Sequence, residues 1–121
     1  MTRKIEITVY NHTEHIMYVK KKGLTYGQWL VEPFSIGSGD SRQFSAEKEI
    51  GDRQGTEGFV LYECEKRSFA IMFEKPYGKG DSFIKVTDIE GLLIEVNEII
   101  KYTEVTSGSV ELVEVLQEQE A

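Results

Sequence analysis

Gln54-Gly-Thr-Glu-Gly-Phe-Val-Leu-Tyr-Glu-Cys-Glu-Lys-Arg-Ser-Phe-Ala-Ile-Met-Phe-Glu-Lys-Pro-Tyr-Gly78 is the stretch that decides how this chain folds. It opens on a polar segment between Gly55 and Gly58 and runs into the apolar tract Phe59-Val-Leu-Tyr62. The charges of Glu63, Glu65, Lys66 and Arg67 interrupt it. A second apolar tract, Ser68 to Phe73, follows, and Glu74-Lys-Pro-Tyr-Gly78 closes the stretch. Two strand-like tracts joined by a short polar connection form a hairpin, and the far ends of a hairpin lie side by side. The Gly-Thr-Glu-Gly and Pro-Tyr-Gly segments are therefore expected together at one end of the domain. Candidate functional residues are sought there.

Outward from the hairpin the same periodicity recurs. From Lys4 to Tyr10, Ile5, Ile7 and Val9 alternate with Glu6 and Thr8, the pattern of a half-buried strand. Asn11-His-Thr-Glu reads as a turn and His15 to Lys20 as the returning strand, ended by Lys21-Lys-Lys-Gly23. Leu24 to Val31 is a further strand, stopped by Pro33. A glycine- and serine-rich loop then leads to a short strand near Gln43 to Ala46, and Glu47 to Arg53 is a polar loop.

Beyond the hairpin, Gly78-Lys-Gly-Asp81 reads as a turn, and Ser82 to Thr87, Leu92 to Val96 and Ile99 to Val105 as strands. Thr106-Ser-Gly-Ser109 reads as a hairpin turn before a last strand, Val110 to Leu116. An amphipathic helix is the alternative there, because Val113 and Leu116 share a helical face; the valines favour the strand. Gln117 to Ala121 is a polar tail. Roughly eight to ten short strands, with no clear helix, repeat or linker, predict a single-domain (1–121) all-β antiparallel β-sandwich.

The totals narrow the function. At 121 residues the chain can bury about two thirds of its unfolded surface without staples. A formal charge of −7 repels phosphate backbones, so no nucleic acid is expected as a partner. The beginning, Met-Thr-Arg-Lys-Ile-Glu-Ile, has no apolar core of a signal peptide. The expectation is a protein made in the cytoplasm without one.

Cys64 is the one cysteine, so neither an intrachain disulfide nor a cysteine metal site is available. His12, Glu14 and His15 lie around one turn with no third strong ligand, and no metal or other cofactor is expected. No serine sits in a nucleophile context. Glu57 and Glu74 flank the hairpin end as a conceivable carboxylate pair, but an exposed loop glutamate and a turn cap are the favoured readings. The chain reads as a non-enzyme.

Aromatic residues and glycines carry more. Gly55 and Gly58 permit close backbone approach. Tyr26, Trp29 and Tyr77 each stand near Gly or Pro at strand ends. Amphipathic rings at loop tips suit a membrane interface or the caging of a choline-like ammonium; packing beneath the loops is the alternative.

At these residues the sequence resembles the aegerolysin family. An Ile-x-Ile strand is followed by Leu24-Thr-Tyr-Gly27, similar to the family's leucine-x-tryptophan-glycine. Gly55-Thr-Glu-Gly58 comes next, with an apolar strand behind it. Phe73-Glu-Lys-Pro-Tyr-Gly78 resembles the family's tryptophan-aspartate-x-proline-tryptophan-glycine. The tracts from Gly27 to Pro33 and from Gly55 to Gly58 look most similar to the small component of bacterial two-component insecticidal toxins.

The resemblance implies a β-sandwich that binds membrane lipids, often sphingolipids and sometimes with sterol. It implies recruitment of a larger, unrelated partner to form a pore, with lysis of cells such as erythrocytes. Tyr26, Gln54 and Tyr77 match positions near the lipid-facing end of fungal members, with tyrosine in place of tryptophan at two of them. The candidate lipid-binding set is Tyr26, Trp29, Gln54, Glu57 and Tyr77, with Gly55, Gly58 and Gly78 as structural loop glycines.

The expected function is the membrane-binding component of a two-component pore-forming, insecticidal toxin. Such a component acts outside its producer on a target-cell lipid or receptor. The alternative is a non-toxic lipid- or glycan-binding module. Three aromatic tips, each worth roughly 1.5–3 kcal/mol when fully buried, support weak to micromolar attachment. A pore therefore needs a partner or self-association.

Overall fold

The computed structural model describes residues 3–78, 80–87, 92–102 and 104–114. Within them lie nine strands: β1 (Lys4–Asn11), β2 (Met17–Tyr26), β3 (Gln28–Val31), β4 (Ser41–Glu47), β5 (Thr56–Cys64), β6 (Arg67–Lys75), β7 (Phe83–Val86), β8 (Leu92–Lys101) and β9 (Val105–Glu114). They form a five-stranded sheet, β3-β4-β1-β9-β8, and a four-stranded sheet, β2-β5-β6-β7. Their inner faces share one core, which includes Ile5, Ile7 and Val9 from one sheet and Val60, Tyr62, Phe69, Ile71 and Phe73 from the other. The alternation that marks β1 and β5 in the sequence is the physical cause: every second side chain of a strand points into the space between the sheets. The all-β sandwich stands as expected. Burial pushes the Tyr62 phenol well above the usual tyrosine range.

The central hairpin is the longest-registered antiparallel pair of its sheet, from Thr56 opposite Lys75 to Cys64 opposite Arg67. Glu65 and Lys66 make its two-residue turn with φ of 50° and 64°. Two positive φ values match the primed turns that suit the twist of paired strands.

Several boundaries differ from the sequence reading. Asn11 to His15 is not a hairpin turn: β1 pairs with β4 and β9, whereas β2 pairs with β5 in the other sheet. The buried Asn11 side chain fixes this crossing. Its Nδ2 donates to the carbonyls of His15, Ile36 and Gly37, and its Oδ1 accepts from Thr13 N and Oγ1. Strand β2 does not end at Gly23 but runs on to Tyr26, because the Phe59 ring covers the glycine; a Cβ there would lie 2.9 Å from that ring. The break comes at Gly27, with φ of 108°.

Leu92 to Val96 and Ile99 to Val105 are not separate strands. Leu92 to Val96 and Ile99 to Lys101 both belong to β8, which carries a bulge between Asn97 and Ile100, and Val105 opens β9. Nor is 106–109 a turn. It lies inside β9, where Gly108 makes room for Ile84; a Cβ there would meet Ile84 Cδ1 at 2.5 Å. The β1–β9 pairing is parallel, whereas the other strand pairs among the described residues are antiparallel. Residues 110–114 are strand, not helix. Lys79 of the expected 78–81 turn and residues 115–121 lie outside the described residues.

Candidate functional site

The start of β5 and the end of β6 meet at one end of the sandwich, as the hairpin requires. A pocket of about 230 Å³ opens there, lined by Tyr26, Arg53, Gln54, Gly55, Thr56, Glu57, Glu74, Lys75, Pro76, Tyr77 and Gly78. Gly55 allows the two segments to touch. A Cβ on it would lie 2.1 Å from the Lys75 carbonyl oxygen and 2.8 Å from the Tyr77 nitrogen. Pro76 then turns the chain outward and leaves Tyr77 at the rim.

Behind the rim lies a buried polar layer. Thr56 Oγ1 donates to the Arg3 carbonyl, and Arg3 Nε donates to the Tyr77 carbonyl at 3.0 Å. Lys75 is only 4% exposed, and its Nζ donates to the Tyr102 carbonyl and to Thr106 Oγ1, both at 2.8 Å. Burial, and then the nearby Arg3 charge, hold the Lys75 ammonium below the usual lysine range. This lysine ties the end of β6 to β9 in the opposite sheet and so fixes the base of the Pro76-Tyr77 segment.

The rim itself carries opposed chemistry. Glu57 and Glu74 are directly opposite in register and share the pocket. Like charges placed opposite each other in a sheet repel, so the pair creates a local demand for a cation. Tyr26 (40% exposed) and Tyr77 (37%) stand beside it. The Tyr77 ring already has cations of the chain nearby: the Arg3 guanidinium is 5.2 Å and Lys48 Nζ 5.5 Å from its centroid. Tyr26 therefore offers the freer aromatic surface. Arg53 adds a positive group for an anion.

Four of the five expected lipid-binding residues, Tyr26, Gln54, Glu57 and Tyr77, come together here, as do Gly55 and Gly78. Gly58 is the third residue of β5, outside the pocket lining. Trp29 does not join them. Its half-buried ring packs edge-on against the core residues Phe44, at 6.1 Å between centroids, and Phe73, at 6.0 Å.

Arg3, Lys48 and Arg53 are additions that no motif singled out. The sequence places Glu74 only at the flank of the hairpin end; the Glu65-Lys66 turn sets it directly opposite Glu57. Among the described residues there is no His/Cys/Asp/Glu group that could hold a metal. His15 Nε2 lies 2.9 Å from Glu65 and His12 Nε2 lies 3.8 Å from Glu111, on separate partners.

No protein-family model and no curated protein matches the sequence. Solved structures do match the fold. The RahU protein, crystallised with a TRIS molecule, superposes with a TM-score of 0.82 at 9% identity, covering 96% of this chain and 98% of RahU. The lipid binding protein Nakanori gives 0.76 at 14% identity, over 91% of this chain and 70% of Nakanori. IP-1A from Alcaligenes faecalis gives 0.77 at 16% identity, over 93% and 91%. RahU and Nakanori are aegerolysin structures, so the sandwich described here has the fold that the sequence resemblance implies.

Proposed function

We propose that this chain is an aegerolysin-like lipid-binding protein, a recognition module rather than an enzyme, and that its end pocket receives a zwitterionic lipid headgroup. The carrying observation is the pairing of Glu57 and Glu74 in register between the exposed rings of Tyr26 and Tyr77. Carboxylates and aromatic faces together favour a desolvated ammonium. Arg53 on the same rim suits the adjoining phosphate. The likeness to a structure described as a lipid binding protein supports the same reading. Among sphingolipids, the class implied by the sequence resemblance, the phosphosphingolipids carry such a headgroup.

In this reading the chain acts outside its producer as the docking component of a two-component, insecticidal pore-forming toxin, and a larger partner helps to supply the pore. Two observations support the division of labour. No helix among the described residues is long and apolar enough to cross a membrane. All nine described strands are committed to sandwich ladders, so a spanning segment would have to be taken from the core.

Cosedimentation with phosphatidylcholine liposomes, with and without sphingolipid and sterol, tests the headgroup. Lipid-selective pelleting, weakened by Tyr26→Ala and by Glu57→Gln in folded protein, is expected. No pelleting with any lipid would refute direct lipid docking. Dye release from the same liposomes tests the partner: binding without release is expected, and release by this chain alone would remove the need for one.

A further inference from the structure

A second concavity, about 560 Å³ in volume, adjoins the end pocket and shares Glu57 with it. It lies on the outer face of the four-stranded sheet. Alternation along β5 sends Thr56, Gly58 and Val60 inward and Glu57 and Phe59 outward. The register then sets two adjacent rows across β5, β6 and β7. Glu57, Glu74 and Phe83 form the row nearest the end; Phe59, Met72 and Lys85 form the next. The first row begins in carboxylate and the second is apolar until Lys85.

Phe59 leans away over the bare backbone of Gly23, which clears the space above β5 and β6. Phe83 bounds the other side, with Lys85 Nζ 4.9 Å from its ring centroid. Met72, 36% exposed, lies between them. β5 and β7 are two strand spacings apart, about 10 Å, and the flanking rings leave width for one hydrocarbon chain. The trough lies on the outer face of the sheet and adjoins the end pocket at Glu57.

We infer that this trough takes the alkyl chain of a single-chain zwitterionic amphiphile, of the lysophospholipid type, whose ammonium lies at Glu57 and Glu74. The inference rests on the headgroup reading above and extends it from a lipid surface to a monomeric ligand. Two features argue for this occupant. The apolar trough is continuous with the acidic pocket through Glu57. The charge is also complementary, with carboxylates where the ammonium would sit and apolar side chains where the alkyl chain would run.

Calorimetric titration with phosphocholine and then with butyl- to dodecylphosphocholine, each below its micelle concentration, tests it. A buried methylene is worth up to about a fourfold gain in affinity. Affinity should therefore climb with chain length and level off once the trough is full. Met72→Gln should flatten the climb, whereas Tyr26→Ala should weaken every member of the series and leave the climb intact.

Affinity independent of chain length, with phosphocholine still bound, would overturn the trough and leave the headgroup reading standing. A climb undiminished by Met72→Gln would also overturn it. The matching n-alkanols, which lack the headgroup, separate the remaining case. If they bind with the same climb while phosphocholine shows no binding, the trough survives and the headgroup reading fails. If neither series binds, both are refuted.

Discussion

Gly55→Ala and Gly78→Ala add the same methyl group at the same end of the sandwich, and they should behave oppositely. At Gly55 the new Cβ would sit 2.1 Å from the Lys75 carbonyl oxygen, 2.8 Å from the Tyr77 nitrogen and 2.9 Å from the Pro76 carbonyl carbon. All three atoms are backbone, so no side-chain rotation relieves the clash. Ordinary contact begins near 3.4 Å. The β5 entrance or the Lys75-Pro76-Tyr77 segment must therefore move by more than an ångström.

Lys75 resists that movement, because its Nζ is anchored to Tyr102 and Thr106. Overpacking of this kind destabilises by about 1–3 kcal/mol. At roughly 3–5 °C per kcal/mol for a domain of this size, the melting temperature should fall by about 3–15 °C. Lipid pelleting should fall further than stability alone explains, since Tyr77 is carried on the displaced segment. At Gly78 a Cβ meets nothing within 4 Å. Its replacement should change stability by no more than about 0.5 kcal/mol. Thermal unfolding by circular dichroism, paired with liposome cosedimentation, reads both. A Gly55→Ala protein as stable as the parent, or a Gly78→Ala protein damaged to the same degree, would refute the close-approach account of the site.

Other outcomes follow from the same geometry. Trp29→Ala removes a ring packed on Phe44 and Phe73 and should cost about 3 kcal/mol in urea unfolding, while the folded variant still pellets with lipid; selective loss of pelleting would instead make Trp29 a membrane anchor. Asn11→Ala removes a second donor from the carbonyls of His15, Ile36 and Gly37 and the acceptor of the Thr13 N–H, and should cost about 1–3 kcal/mol, read as a lower urea midpoint. The depressed Lys75 ammonium makes stability depend on pH. Between its folded value and 10.5 the unfolded chain binds more protons, so stability rises with pH through that window and the destabilisation is fully present below it. Urea midpoints of the parent should therefore gain on those of Lys75→Met as pH approaches 10.5 from below; a constant difference would show that the buried lysine is not perturbed. The Tyr62 phenol, raised by burial, acts in the opposite sense only above the ordinary tyrosine range.

The sequence alone determined the sandwich, the central hairpin and the end at which to look. Those follow from local rules: side-chain alternation reports which face is buried, and two apolar tracts joined by a short polar connection pair as a hairpin. The Glu65-Lys66 turn, and with it the register that sets Glu57 opposite Glu74, came from the structure. Tertiary structure decided the rest, because it depends on neighbours distant in the chain. Gly23 and Gly108 look like strand ends, yet they lie inside strands because Phe59 and Ile84 occupy the space their side chains would need. Asn11 looks like a turn residue, yet it is the buried hub of a crossing between sheets. Trp29 reads equally as a surface tip or a packed ring, and Phe44 and Phe73 draw it inward. Arg3 and Lys75 show no motif, but the folding of β1, β6 and β9 onto one another makes them the buried support of the pocket. Alternation records that a side chain is buried; only the packed sheets settle against what.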